Sequence, residues 1–180
     1  MQFRLIIDKN FTLYCIMNSS KAAFLDRDGV LNHEIGDYVK NVEEFKLLPH
    51  VIHNLKQLYE AGFLLIVITN QGGIAKKIYD KKTLENIHQI LIEELAKHKI
   101  ILTEIFYCPH HPISGNCLCR KPEHILVQKA ISKYSIDCDK SFFIGDNQRD
   151  IDCAKSANVE GFLINKNEDW SWIVNKKIQN

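Results

Sequence analysis

Runs of apolar residues at 22–25, 63–68, 105–107, 142–144 and 161–164 divide the chain at intervals too long for hairpins. None alternates apolar with polar. Unbroken runs of that length are what strands need when both faces of a sheet are covered. The segments between them follow helical spacing instead. After Pro49, the residues Val51, Ile52, Leu55, Leu58 and Tyr59 share one face, and Gly62 sits where such a helix would stop. Asp80 is placed to cap a helix that lines up Leu84, Ile87, Leu91 and Leu95. Pro122 is suited to open a third helix, with Ile125, Leu126 and Ala130 turned inward. Residues 150–157 predict a short fourth. Strands alternating with helices imply an α/β domain: a doubly wound, mainly parallel sheet with a single core. No internal repeat, low-complexity stretch or linker interrupts it.

In such sheets ligands bind beyond the carboxyl ends of the strands, near the point where strand order reverses. The polar residues that carry chemistry fall at those ends. The first run leads into Asp26-Arg27-Asp28-Gly29, whose two carboxylates, two residues apart, project the same way from an extended chain. They repel unless a proton or a hard cation such as Mg2+ intervenes. The second run ends in Thr69-Asn70-Gln71-Gly72-Gly73, a set of hydroxyl, amides and glycines suited to an anion's oxygens. Arg120-Lys121-Pro122 brings two cations just ahead of the third helix, able to neutralise a phosphoryl group. The fourth run ends in Gly145-Asp146-Asn147-Gln148-Arg149-Asp150, where Asp146 can add a metal carboxylate and Asp150 can orient neighbours or cap a helix. Each signal alone is also an ordinary turn or a solvated surface pair. Their common order, each at a strand end or helix start, is what gives them weight.

Charge and cysteine usage narrow the partners. The 180 residues carry a formal net charge of +1, with 46% hydrophobic and 25% charged residues. That balance gives no overall field pointing to nucleic acid or a membrane surface. No apolar run approaches the roughly 20 residues of a transmembrane helix. Arg4, Asp8 and Lys9 break the stretch that a secretory signal would need, so a cytoplasmic protein is expected. Of the 6 cysteines, Cys108, Cys117 and Cys119 crowd together with His110 and His111. In a reducing compartment that pattern favours a metal over disulfides.

Together these motifs resemble the haloacid dehalogenase superfamily. Phe24-Leu25-Asp26-Arg27-Asp28-Gly29, Thr69-Asn70, Lys121, and Gly145-Asp146 with Asp150 match its four motifs in order. The Cys108-Pro109-His110-His111-Pro112 and Cys117-Leu118-Cys119-Arg120-Lys121-Pro122 segments are similar to the branch of histidinol-phosphate and heptose-bisphosphate phosphatases. The resemblance implies a Mg2+-dependent phosphatase without a large cap domain. Asp26 would be the nucleophile, forming an aspartyl-phosphate, and Asp28 the acid and then base. Thr69 and Lys121 would hold phosphoryl oxygens. Mg2+ would sit on the carboxylates of Asp26 and Asp146 and the backbone carbonyl of Asp28. A structural Zn2+ would take Cys108, His110, Cys117 and Cys119, with His111 the competing ligand.

Substrate contacts are implied for Glu34, Tyr38, Asn70, Gln71, Gly72, Arg120 and Asn147. The Gly36 to Val39 region and the Gln71-Gly72-Gly73-Ile74 run favour a heptose 1,7-bisphosphate over histidinol phosphate. Asn147, where those enzymes often carry lysine, departs from the pattern. A non-catalytic binding protein and a nucleic-acid 3′-phosphatase remain as other classes. Residues 21–180 would form the single domain, expected to be a monomer, and 1–20 an N-terminal extension. That extension either precedes a start at Met17 or adds an edge strand.

Overall fold

The computed structural model describes residues 3–7, 13–17 and 19–179. Strands β1 (Phe3–Ile7) and β2 (Leu13–Met17) pair with each other, antiparallel, as a separate two-stranded sheet. Among the described residues, the N-terminal extension therefore adds no edge strand to the main sheet.

The main sheet contains β3 (Ala22–Leu25), β4 (Leu64–Asn70), β5 (Glu104–Cys108), β6 (Phe142–Gly145) and β7 (Glu160–Leu163). Its order is β5-β4-β3-β6-β7, and every pairing is parallel. The chain steps outward from β3 to β4 and β5, then returns to the other side of β3 as β6 and β7. The reversal lies between β3 and β6, the position at which α/β sheets bind ligands.

Alternation along β3 divides the core. Ala23 and Leu25 join a cluster with Leu55 and Leu58 of α1 (Val51–Glu60), Leu91 and Leu95 of α2 (Lys81–Lys97), and Ile173 and Val174 of α5 (Ser171–Ile178). Ala22 and Phe24 join the opposite cluster with Val127 and Ala130 of α3 (Ile125–Tyr134) and Cys153 and Ala154 of α4 (Gln148–Ser156). Helices thus cover both faces, which is why the strands are apolar throughout. Trp170, fully buried, donates its indole N–H to the Val30 carbonyl at 3.0 Å and ties the start of α5 to the loop that follows β3.

Two local expectations need correction, and one helix was not anticipated. Helix α3 begins at Ile125, not at Pro122; Pro122 lies in the turn before it, with His124 at the N-cap. Helix α4 is capped by Asn147, whose side chain accepts from the Arg149 N–H, while Asp150 accepts from the Asn147 N–H to complete a capping box. Helix α5 had no counterpart in the periodicity. Asp80 does cap α2, accepting from the Thr83 N–H at 2.7 Å.

Candidate active site

Asp26 is the first residue beyond β3, and its N–H donates to the Ile144 carbonyl of β6 at 2.9 Å. This pins it at the sheet's reversal. Its side chain is only 6% exposed. Lys121 comes to it from the loop before α3: Nζ lies 2.8 Å from Asp26 Oδ1 and 2.8 Å from Asp150 Oδ1, and donates to the Ile68 carbonyl at 2.8 Å. Asp146 follows β6. Carboxylate oxygens of Asp26, Asp146 and Asp150 lie within 4.8 Å of one another.

Three carboxylates thus face one ammonium. Burial, with Asp150 and Asp146 nearby, pushes the Asp26 carboxyl up to about 7 against the pull of Lys121. Burial and Asp150 push Asp146 up to about 6. Uncompensated buried negative charge on oxygen ligands is the environment that a hard divalent cation relieves, so these residues fit Mg2+. Gly29 makes the approach possible. It has φ +83°, and a Cβ there would stand 2.2 Å from Asp146 Oδ2.

Asp28 faces elsewhere. Its carboxylate accepts from Arg27 Nε at 3.2 Å and Arg27 Nη2 at 2.8 Å, from Asn32 Nδ2 at 3.0 Å and from Gln71 Nε2 at 2.9 Å. Burial opposes its ionisation, but the Arg27 guanidinium and these donors outweigh burial and hold the carboxyl below its ordinary value. The side chain of Asp28 therefore stands outside the carboxylate cluster, in which Asp150 takes part instead. Position in sequence had marked Asp150 only as an orienting or capping residue.

A cavity of about 310 Å³ opens over these groups. Of the residues singled out from sequence, Asp26, Asp28, Glu34, Tyr38, Thr69, Asn70, Arg120, Asp146 and Asn147 line it. Gln71, Gly72 and Lys121 do not. Gln71 is 1% exposed and spends its amide on Asp28 and on Thr69 Oγ1, at 2.9 Å each. Gly72 leaves room for Arg120, whose Nη1 would stand 3.2 Å from a Cβ there. Lys121 reaches Asp26 from beneath. Asn70 and Lys121 exchange hydrogen bonds through side chain and backbone, at 3.1 and 3.0 Å, and so lock the end of β4 to the lysine loop. Arg149 and Lys166, also on the cavity wall, escaped the sequence reading. Arg149 stands in the motif as an ordinary helix-start cation, and Lys166 lies beyond β7, in no motif.

The second group of potential metal ligands is Cys108, His110, Cys117 and Cys119. Cys108 Sγ is 3.6 Å from Cys117 Sγ, 3.1 Å from Cys119 Sγ and 3.6 Å from His110 Nδ1. Cys119 Sγ is 3.8 Å from Cys117 Sγ and 3.2 Å from His110 Nδ1. Zinc–sulfur bonds of about 2.3 Å at tetrahedral angles require sulfurs about 3.8 Å apart. The set fits that ion with sub-ångström adjustment. His111 is occupied differently: its Nδ1 accepts from the Ile113 N–H at 3.2 Å. Directly after the last cysteine, Arg120 Nη1 donates to the His110 carbonyl at 3.0 Å, so the cluster and the lysine loop are one unit.

A parallel sheet reversing at β3, with an aspartate just beyond that strand, a second just beyond β6 and a buried lysine between them, is the construction of haloacid dehalogenase-type hydrolases. The chain belongs to the family described as polynucleotide kinase 3 phosphatase, whose model matches residues 21–179. It is 38% identical over 149 residues to the D-glycero-beta-D-manno-heptose-1,7-bisphosphate 7-phosphatase of Helicobacter pylori, covering 82% of this chain and 85% of that one. It is 36% identical over 148 residues to a D-glycero-alpha-D-manno-heptose-1,7-bisphosphate 7-phosphatase of Photorhabdus laumondii, covering 79% and 80%. Among solved structures, the D,D-heptose 1,7-bisphosphate phosphatase of B. bronchiseptica, complexed with magnesium and phosphate, superposes with TM-score 0.75 at 34% identity, covering 79% of each chain. Among the described residues, no helix is long and apolar enough to cross a membrane.

Proposed function

We propose that this protein is a Mg2+-dependent phosphatase that removes the 7-phosphate of D-glycero-D-manno-heptose 1,7-bisphosphate through an aspartyl-phosphate on Asp26. The observation that carries the chemistry is the buried group of Asp26, Asp146 and Asp150 around Lys121 at the sheet's reversal. The heptose assignment is supported by the relatives at 36–38% identity and by the magnesium- and phosphate-bound neighbour.

Mg2+ would be held by the carboxylates of Asp26 and Asp146 with the Asp28 carbonyl; when bound, it neutralises phosphoryl charge as a Lewis acid. An Asp26 oxygen attacks phosphorus, and the bond from phosphorus to the sugar oxygen breaks. The leaving oxygen takes a proton from Asp28. Asp28 lies on the cavity wall, where its donors favour the ionised form in the free protein; the proton it gives is one taken up from solvent as substrate binds, when the negative charge of the entering phosphoryl group raises its proton affinity. Water then attacks the aspartyl-phosphate and passes a proton to Asp28, releasing inorganic phosphate and restoring Asp26. Lys121 and Thr69 serve the phosphoryl oxygens. Thr69 Oγ1 accepts from Gln71, which leaves its own hydrogen free to donate. Glu34, Tyr38, Asn70, Arg120 and Asn147 face the sugar and its second phosphate, with Gln71 and Gly72 contributing from behind.

Zinc in the Cys108, His110, Cys117 and Cys119 set is structural, since four protein ligands close a tetrahedral site. Residues 21–180 act as one catalytic domain, a monomer in the cytoplasm, where thiolates stay reduced and available to the metal. Residues 1–20 are an extension to it.

Phosphate release with Mg2+, measured over heptose 1,7-bisphosphate, histidinol phosphate and a 3′-phosphorylated oligonucleotide, tests the substrate. The heptose should be turned over most efficiently. The family's description keeps the oligonucleotide as a second reading, and preference for it, with steep salt dependence, would replace ours. Asp26→Asn should lower turnover at least ~1,000-fold while keeping the fold. Retained activity in that variant would remove Asp26 as nucleophile.

A further inference from the structure

Four polar side chains beside the site are buried, yet none lines the cavity: Arg27 and Gln71 at 1% exposure, Tyr79 and His88 at 7%. Burying polar groups without return is costly. Here the hydrogen bonds converge on one carboxylate, with a side branch from Gln71 to Thr69 Oγ1. On one side Tyr79 donates its hydroxyl to Gln71 Oε1 at 2.6 Å, which fixes the amide so that Nε2 points at Asp28 Oδ2, 2.9 Å away. On the other side His88 Nε2 stands 3.3 Å from Arg27 Nη1, while Arg27 Nη2 grips both Asp28 oxygens at 2.8 and 2.9 Å. Arg27 can only donate, so His88 Nε2 accepts, and the ring is neutral with its proton on Nδ1. Burial and the Arg27 charge keep it so, lowering its pKa to about 3. Both outer residues come from one piece of chain. Tyr79 immediately precedes the Asp80 cap of α2, and His88 lies within that helix. His88 also packs edge-on against Tyr107 of β5, at 5.8 Å between ring centres.

We infer that Tyr79 and His88 are positioning residues: acting through Gln71 and Arg27, they hold the Asp28 carboxyl where it meets the leaving oxygen. The inference rests on the reading of Asp28 as the acid of the first step. Helix α2 thereby serves the chemistry from behind the sheet's edge, without contact with substrate.

A displaced acid slows the departure of a poor leaving group and hardly affects a good one. The experiment is therefore kcat/KM with heptose 1,7-bisphosphate, which must expel an alkoxide, against p-nitrophenyl phosphate, which expels a stable phenolate. The variants are Tyr79→Phe, His88→Phe and His88→Gln, with Asp28→Ala as reference. Tyr79→Phe removes one oxygen and leaves the ring packing, so it stays interpretable even if His88→Phe folds poorly. Tyr79→Phe and His88→Phe should each lose about 10-fold on the heptose and less than about 3-fold on the aryl ester, a fraction of the full acid contribution. His88→Gln, whose carbonyl can accept from Arg27, should recover most of the loss. Equal losses on both substrates, or none, while Asp28→Ala separates them, would overturn the positioning role. If Asp28→Ala itself affects both substrates alike, the acid role of Asp28 falls, and the inference with it.

Discussion

Withholding Mg2+ should make the fold less stable as pH rises, and the size of the effect follows from Asp26. Its carboxyl ionises at 3.8 in a free chain and at about 7 in the folded protein, chiefly through burial. A gap of about 3 units at about 1.36 kcal/mol per unit is worth roughly 4 kcal/mol. The folded state holds this proton more tightly than the unfolded one. Stability is therefore fully present below about pH 4 and declines until about pH 7, where the buried carboxylate is ionised with only Lys121, shared with Asp150, to offset it. Asp146, raised to about 6, tilts the slope the same way. Mg2+ substitutes for the protons, so its stabilisation should be small at pH 5 and larger at pH 8, growing with concentration by mass action. Urea unfolding at the two pH values, with and without Mg2+, measures this. The ion must be withheld rather than chelated, because a chelator would also strip the cysteine cluster. Asp26→Asn isolates the contribution of Asp26, since it cannot ionise and should flatten the Mg2+-free slope. A Mg2+-free protein equally stable at both pH values, with Asp26→Asn showing the same profile as the parent, would refute the account.

Gly29→Ala places a methyl 2.2 Å from Asp146 Oδ2 on a backbone with φ +83°, so it should weaken Mg2+ activation about 10-fold or more, read as the Mg2+ concentration giving half-maximal turnover. Trp170→Ala empties a fully buried site and removes the 3.0 Å bond to Val30; urea unfolding should show a loss of about 3–5 kcal/mol. Cys119→Ser should lower zinc content below about one ion per chain and reduce Tm, with elemental analysis and a thermal scan as the readouts. An unchanged zinc ratio would reject the ligand set.

The strands of the main sheet were legible because each is a short unbroken apolar run, and burial on both faces leaves no other pattern. The placement of Asp26, Thr69 and Asp146 around one cavity was legible because a parallel sheet brings its strand ends together there. The misreadings have local causes. Pro122 is a permitted helix start, but the same segment must first carry Lys121 down to Asp26, which delays α3 to Ile125. Asp150 is a good capping residue by type. Asn147 takes the N-cap, and Asp150 in the first turn does both: one oxygen closes the capping box on the Asn147 N–H and the other meets Lys121. Helix α5 is short, with Ile173 and Val174 its buried positions, too few to establish a period. The distant donor to Asp28 lay beyond sequence reasoning, because Gln71 is 43 positions away and its orientation depends on Tyr79.

The cysteine cluster and the phosphatase site solve one mechanical problem between them. Lys121 is a buried cation whose stability depends on three oxygens, each 2.8 Å from Nζ. A displacement of about 1 Å would leave charge unpaired on both sides, a loss of several kcal/mol. Yet the chain from β5 to α3 has as its regular structure a single short 3-10 turn, Pro112–Ser114. A helix or strand cannot supply the stiffness there. Cys108 ends β5 and Cys119 stands two residues before Lys121, so a closed tetrahedral ion on these thiolates would fasten both ends of the loop to each other. Arg120 binding the His110 carbonyl and Lys121 exchanging bonds with Asn70 then carry that rigidity onto β4. A metal on these ligands would thus hold the lysine that the proposed chemistry needs, and its loss should depress turnover in proportion to the lysine's displacement rather than through any contact with substrate.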